Sequence, residues 1–132
     1  MTPLSDDLKS LLDAPEYAVL ATIDPDGLPR LSVAWVARQG EDVILSTVRG
    51  CPNTVNLERD PRASVLMYPA DDPTTVHQVR GSVTLSNDPS SMFFNALSRK
   101  YVNRDDEVDE DVEDDETDWE RLVVRVHPTD IQ

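Results

Sequence analysis

Between Tyr17 and Tyr68, β-branched and apolar segments recur so closely, with a turn signal at each joint, that the stretch can build little besides a small antiparallel sheet. The segments read LATIDPDGLPRLSVAWV, VILSTVRG and NTVNLERDPRASVLMY. Tyr17 to Ile23 is an apolar strand, and Asp24-Pro25-Asp26-Gly27 is a turn in which Pro25 presets its φ and Gly27 accepts a positive one. The next strand begins near Pro29, where a missing N–H is tolerated. Apolar residues so nearly fill Leu31 to Arg38 that the pattern predicts one strand buried on both faces. Gln39-Gly40-Glu41-Asp42 turns the chain into Val43 to Thr47. Asn53 to Arg59 holds two helical turns that Asp60-Pro61 ends, and Ala63 to Tyr68 returns to strand.

The flanks extend this pattern. Ser5 ahead of Asp6 and Asp7 reads as a cap on an amphipathic helix with Leu8, Leu11 and Leu12 on one face, stopping before Pro15. Pro69 to Thr75 is a loop. Val76 to Ser86 alternates as a long strand, with a bulge or close approach expected at Gly81. Asp88-Pro89 opens a helix whose apolar face is read as Met92, Phe93, Ala96 and Leu97, ending near Tyr101. Trp119 to Val126 closes the chain as a strand with Leu122, Val124 and Val126 on one side. Roughly six strands with short helices between them imply a mainly β fold, a small antiparallel barrel. The 132 residues fit a single domain spanning 1–132.

Charge excludes several function classes. The net charge of −14 argues against nucleic acid and against anionic membrane surfaces, both of which need clustered Lys and Arg. Eleven of the 14 positions from Asp105 to Asp118 are acidic; the other 15 acids face 12 Lys and Arg, a net of −3 for the rest of the chain. A run of that kind repels itself and buries almost nothing, so a flexible loop is expected at 105–118. Asp109, Asp111, Glu113 and Glu120 fall at calcium-loop offsets, but Asp114 stands where the sharp turn needs Gly. His77 and His127 lie far apart without ligand spacing, so no metal site is expected. No apolar run reaches the roughly 20 residues of a membrane helix. The N-terminus lacks a basic secretion signal. Cys51 is the single cysteine, which fits a reducing compartment, and the reading is cytoplasmic.

Chemistry concentrates at one joint. Thr47-Val48-Arg49-Gly50-Cys51-Pro52-Asn53 leaves a strand and enters a helix, placing backbone N–H groups, polar side chains and a guanidinium around one concavity where a phosphate could sit. An ordinary polar connection is the other reading of the same residues. Trp35 reads equally as a large core residue, and Arg30, Arg38 and Arg80 as solvated strand ends. Ser46, Thr47 and Ser98 lack a Gly-x-Ser-x-Gly elbow, so no hydrolase triad is supported.

The order of these elements resembles the split β-barrel flavin- and deazaflavin-binding proteins, the broad family of pyridoxamine 5′-phosphate oxidase and the F420-dependent reductases. The resemblance rests on Asp24 to Pro29, on Thr47 with Arg49-Gly50, and on Asn56 to Arg62, with weaker echoes at Arg80-Gly81, Ala96 to Tyr101 and Val123 to Pro128. It implies a homodimer that binds cofactor in a groove between subunits and transfers a hydride from reduced F420, or from FMN as the alternative, to a small-molecule substrate. It implies cofactor contacts at Ser32, Val33, Ala34 and Trp35 beside the ring, and at Ser46, Thr47, Arg49, Gly50 and Asn53 around the phosphate. No residue need act as acid or base, because the cofactor carries the chemistry. The apolar runs Leu31 to Ala37 and Val123 to Val126 are the expected dimer surface. Asn53 stands where the family places a phosphate-binding Lys, which implies a weakened hold on cofactor and leaves open a non-catalytic relative with a degenerate groove.

Overall fold

The computed structural model describes residues 3–102 and 120–131, so the acidic run and Trp119 lie outside the described residues. Helix α1 (Asp6–Asp13) starts where the Ser5 hydroxyl accepts the Leu8 N–H at 3.2 Å. It stops because Ala14, the residue before Pro15, is extended. Leu8, Leu11 and Leu12 are buried as the spacing predicts, and with Leu4 they join Val36, Val43 and Leu45 in the main core. Burial of each such leucine is worth about 2 kcal/mol.

Seven strands, one more than the sequence pattern suggests, form a single antiparallel sheet: β1 (Ala18–Ile23), β2 (Pro29–Ala34), β3 (Val36–Gln39), β4 (Asp42–Val48), β5 (Arg62–Met67), β6 (His77–Asn87) and β7 (Arg121–Ile131). Their order is β2-β1-β5-β6-β7-β4-β3. The two edge strands are consecutive in sequence, so Trp35 bridges the open ends of a curled sheet; this is the split half-barrel. The one strand expected over Leu31 to Arg38 is therefore two, with the break at Trp35. Nor is it buried on both faces, since Leu31 is 65% and Val33 70% exposed on the β2 edge. The Val123 to Val126 segment sits between β6 and β4, with Val124 and Val126 in the core and Val123 and Arg125 part-exposed on the other face.

The β6–β7 register shifts between Arg80 and Gly81, skipping Thr129. A Cβ at Gly81 would lie 2.1 Å from the His127 carbonyl oxygen, and this close approach is why the position takes glycine. Helix α2 (Pro52–Arg59) has Pro at its first turn and ends at Asp60, whose extended backbone precedes Pro61. Helix α3 (Met92–Val102) follows a short 3₁₀ turn (Pro89–Ser91). Its inward face is Phe94, Leu97 and Tyr101; of the expected Met92, Phe93, Ala96 and Leu97 only Leu97 is buried, since Met92 is 69% exposed and Ala96 is exposed too. The residues 94, 97 and 101 also repeat at helical spacing, and the aromatic stack described below chooses between the two phases. Among the described residues, no helix is long and apolar enough to cross a membrane.

Candidate functional site

A cavity of about 420 Å³ opens where the ends of β2 and β4, the first turn of α2, the first turns of α3 and the start of β7 converge. Ser32, Val33, Ala34, Trp35, Ser46, Thr47 and Asn53 line it. Arg49 and Gly50 do not. Arg49 instead holds Glu58 at 2.8 Å and Glu120 at 3.1 Å on the surface beside the cavity.

The α2 wall is a closed polar network. Thr22, fully buried on β1, donates to the Asn53 side-chain oxygen at 3.0 Å and accepts from Asn56 Nδ2 at 3.0 Å. Asn53 Nδ2 donates to the Ser32 hydroxyl at 2.8 Å. Asn56 Nδ2 also reaches Asp24 at 2.8 Å, and Arg59 donates to its oxygen at 3.3 Å. Asp24 in turn takes Arg30 at 2.9 Å; that hydrogen bond first, and the one from Asn56 second, hold its carboxyl below the usual range. Also on α2, the Thr54 hydroxyl donates to the Val48 carbonyl of β4 at 2.7 Å, so the Thr47 hydroxyl, 2.8 Å away, is the donor between the two threonines. Its lone pairs stay available to a donor in the cavity. Ser46 Oγ is buried and has no hydrogen-bond partner among the described residues. A buried hydroxyl left in that state costs free energy.

The opposite wall is aromatic. Tyr17, Tyr101, Trp35 and Phe94 stack in that order, with centroid separations of 5.6, 5.2 and 6.2 Å, and the Arg121 guanidinium carbon lies 3.6 Å from the Phe94 ring centroid. Tyr17, Trp35, Phe94 and Arg121 all line the cavity. From behind, the Tyr101 hydroxyl accepts the Val36 N–H at 2.9 Å and donates to the Glu16 carbonyl at 2.6 Å. Lys100 donates to the Leu12 and Val36 carbonyls, and burial pushes its pKa down and that of Tyr101 up. These contacts fix the strand break at Trp35, so the bend, the aromatic wall and the cavity are one construction.

Sequence reading missed Phe94, Tyr17 and Arg121. Arg121 alternates with Leu122 and Val124, which puts it on the outer face of a flat strand; only the curl of the sheet folds it over Phe94. Arg30, Arg38 and Arg80 pair with Asp24, Asp13 and Asp130 at strand ends.

Comparison with known proteins places this geometry. A family model described as pyridoxamine 5′-phosphate oxidase matches residues 4–132. Among solved structures the chain is similar to an F420 reductase, with 27% identity, 98% of each chain covered and a TM-score of 0.81. It is similar to a conserved hypothetical protein from Mycobacterium tuberculosis at 25% identity, with 97% of this chain and 82% of that one covered and a TM-score of 0.74. General Stress Protein 26 from Bacillus anthracis shares the fold at 17% identity, with 92% and 86% covered and a TM-score of 0.64. No curated protein matches the chain in sequence.

Proposed function

The chain belongs to the pyridoxamine 5′-phosphate oxidase family, and from that premise we propose that it is an F420-dependent oxidoreductase acting on a small molecule. The observation that carries the reading is the cavity itself, in a chain that matches an F420 reductase over 98% of both lengths. The residues present fit a planar, polar-edged ring. One wall is the extended Ser32 to Trp35 backbone beside aromatic side chains, and the other offers the lone pairs of Thr47. When bound, the deazaflavin supplies hydride chemistry. The chain's part is to bind and orient: Trp35 and Phe94 shield one side from water, Thr47 accepts from a polar ring edge, and the bend at Trp35 sets the wall's distance from α2.

In the same reading the protein is a cytoplasmic homodimer. Leu28, Leu31 and Val33 are exposed together along β2, an apolar edge next to the cavity mouth that a two-fold partner would cover. Titration of F420 fluorescence with the full chain tests the cofactor assignment. Saturable binding with a dissociation constant of about 1 to 100 μM, tighter than FMN, supports it. Tighter binding of FMN, with yellow protein on purification, replaces it with a flavin enzyme of the same fold. Light scattering that returns a monomer mass across a dilution series removes the dimer.

A further inference from the structure

The sequence leaves a charge missing, since Asn53 stands where a lysine is expected to hold the cofactor phosphate. Two polar groups of the stretch from Thr47 to Asn53 have partners within the chain. The Asn53 amide is taken by Thr22 and Ser32, and Arg49 is taken by Glu58 and Glu120. Among the described residues lining the cavity, the one charged side chain is Arg121.

Its position is the right one for a phosphate. Arg121 is paired with Val48 across β4 and β7, and the neighbouring Glu120 carbonyl accepts the Arg49 N–H at 2.9 Å. Arg121 therefore lies beside the turn that leads into the first turn of α2, and like Thr47 it lines the cavity. The stack on Phe94 occupies only the face of the guanidinium. The N–H groups lie in the plane of the group, and a fork of two of them matches two phosphate oxygens.

Among the described residues no carboxylate pairs with that fork. Asp88, whose charge Arg121 feels, has both oxygens engaged, one by the Phe93 N–H at 2.8 Å and the other by the Phe94 N–H at 2.9 Å. That capping is what the left-handed Ser90 and Ser91 allow, with φ of 56° and 54°, by folding the chain back over Asp88. Glu120 is engaged by Arg49. The Arg121 guanidinium is thus partly desolvated beside a cavity, with no side-chain hydrogen bond to the described residues; burial pushes its pKa down, with Asp88 opposing, and a guanidinium stays charged regardless.

We infer that Arg121 is the phosphate anchor of this site, providing from β7 the positive charge that position 53 on α2 lacks. The inference rests on the reading of the cavity as a cofactor site, and it reverses the expectation that the Asn53 departure leaves phosphate binding weak.

The test is equilibrium titration of F420, FMN and riboflavin against the full-length wild type, Arg121→Gln and Arg121→Lys, with thermal unfolding of each variant alongside. Riboflavin is FMN without its phosphate. Wild type should bind FMN roughly 10- to 100-fold more tightly than riboflavin, the worth of a charge-assisted hydrogen bond. Arg121→Gln should erase that ratio while leaving riboflavin affinity unchanged, and F420 should weaken by a similar factor. Arg121→Lys, which keeps the charge but not the fork, should retain part of the ratio and is read in place of Gln if the Gln variant does not fold. Equal weakening of FMN and riboflavin would mean that Arg121 only braces Phe94, and an unchanged ratio would mean that the phosphate lies elsewhere; either result overturns the inference. If F420 does not bind but the FMN ratio depends on Arg121, the deazaflavin reading falls and the anchor stands. If F420 binds tightly and is indifferent to residue 121, the anchor falls and the reading stands.

Discussion

The two walls of the cavity are made of opposite materials and have opposite degrees of freedom. On the α2 side Thr22, Ser32, Asn53, Asn56 and Asp24 hold one another in a hydrogen-bonded network. On the far side the chain is apolar and aromatic, yet it presents the Arg121 guanidinium without a side-chain hydrogen bond to the described residues. The lesson is that residue type is a poor guide to availability. The asparagine and arginine that look like ligand-binding groups in sequence, Asn53 and Arg49, are parts of the scaffold. The polar group left open is one whose neighbours are too apolar to satisfy it.

The contrast is sharpest where it can be broken by one substitution. Asn56 is 3% exposed and joins Thr22, Asp24 and Arg59, so Asn56→Ala should cost about 3 kcal/mol in urea unfolding by orphaning buried partners. A loss well under 1 kcal/mol would mean the α2 network is not a structural unit. Next in size is Tyr101→Phe, which leaves the buried Val36 N–H and the Glu16 carbonyl without the hydroxyl that links them. About 2 kcal/mol of stability should go, with the near-ultraviolet signal of the aromatic wall altered. An unchanged signal would show that the stack does not depend on this brace.

Asn53→Lys probes the boundary between the walls. Lysine cannot make the paired bonds to Thr22 and Ser32, so we expect a loss of about 1 kcal/mol and no tighter hold on FMN. A variant that keeps wild-type stability and binds FMN tenfold better would erase the distinction, because position 53 would then face the ligand. The smallest effect is electrostatic. Asp24 is held below its usual value of 3.8 by Arg30 first and Asn56 second. A carboxyl lowered in the folded chain contributes stability above the unfolded value, and that contribution drains as the pH falls through the folded one. Stability should therefore decline below pH 3.8, and Asp24→Asn should flatten the decline in urea midpoints measured from about pH 5 to about pH 2.5. An identical slope in the variant would mean that Arg30 and Asn56 do not hold this carboxylate.

Much of the architecture was legible before any coordinates. Ser5 at the head of α1, the turn at Gly27, the helix ended by Pro61 and the close approach at Gly81 each follow from a local preference of the backbone. Such preferences act over a few residues and are written where they act. The strand break at Trp35 was not legible, because a run of apolar residues looks the same whether it continues or bends. What bends it is Tyr101, 65 positions from Val36, reaching the Val36 N–H.

By itself, then, the sequence determined the order and kind of most elements, the placing of the acids, and the stretch from Thr47 to Asn53 at which a strand meets a helix. Which side chains of that stretch are open to a ligand was decided only in three dimensions. Asn53 is closed by Thr22 from another strand, and Arg121 is opened by the curl of β7 over α3. Hydrogen-bond partners are exclusive and distant in sequence, so a polar residue's role is settled by what reaches it first in the folded chain.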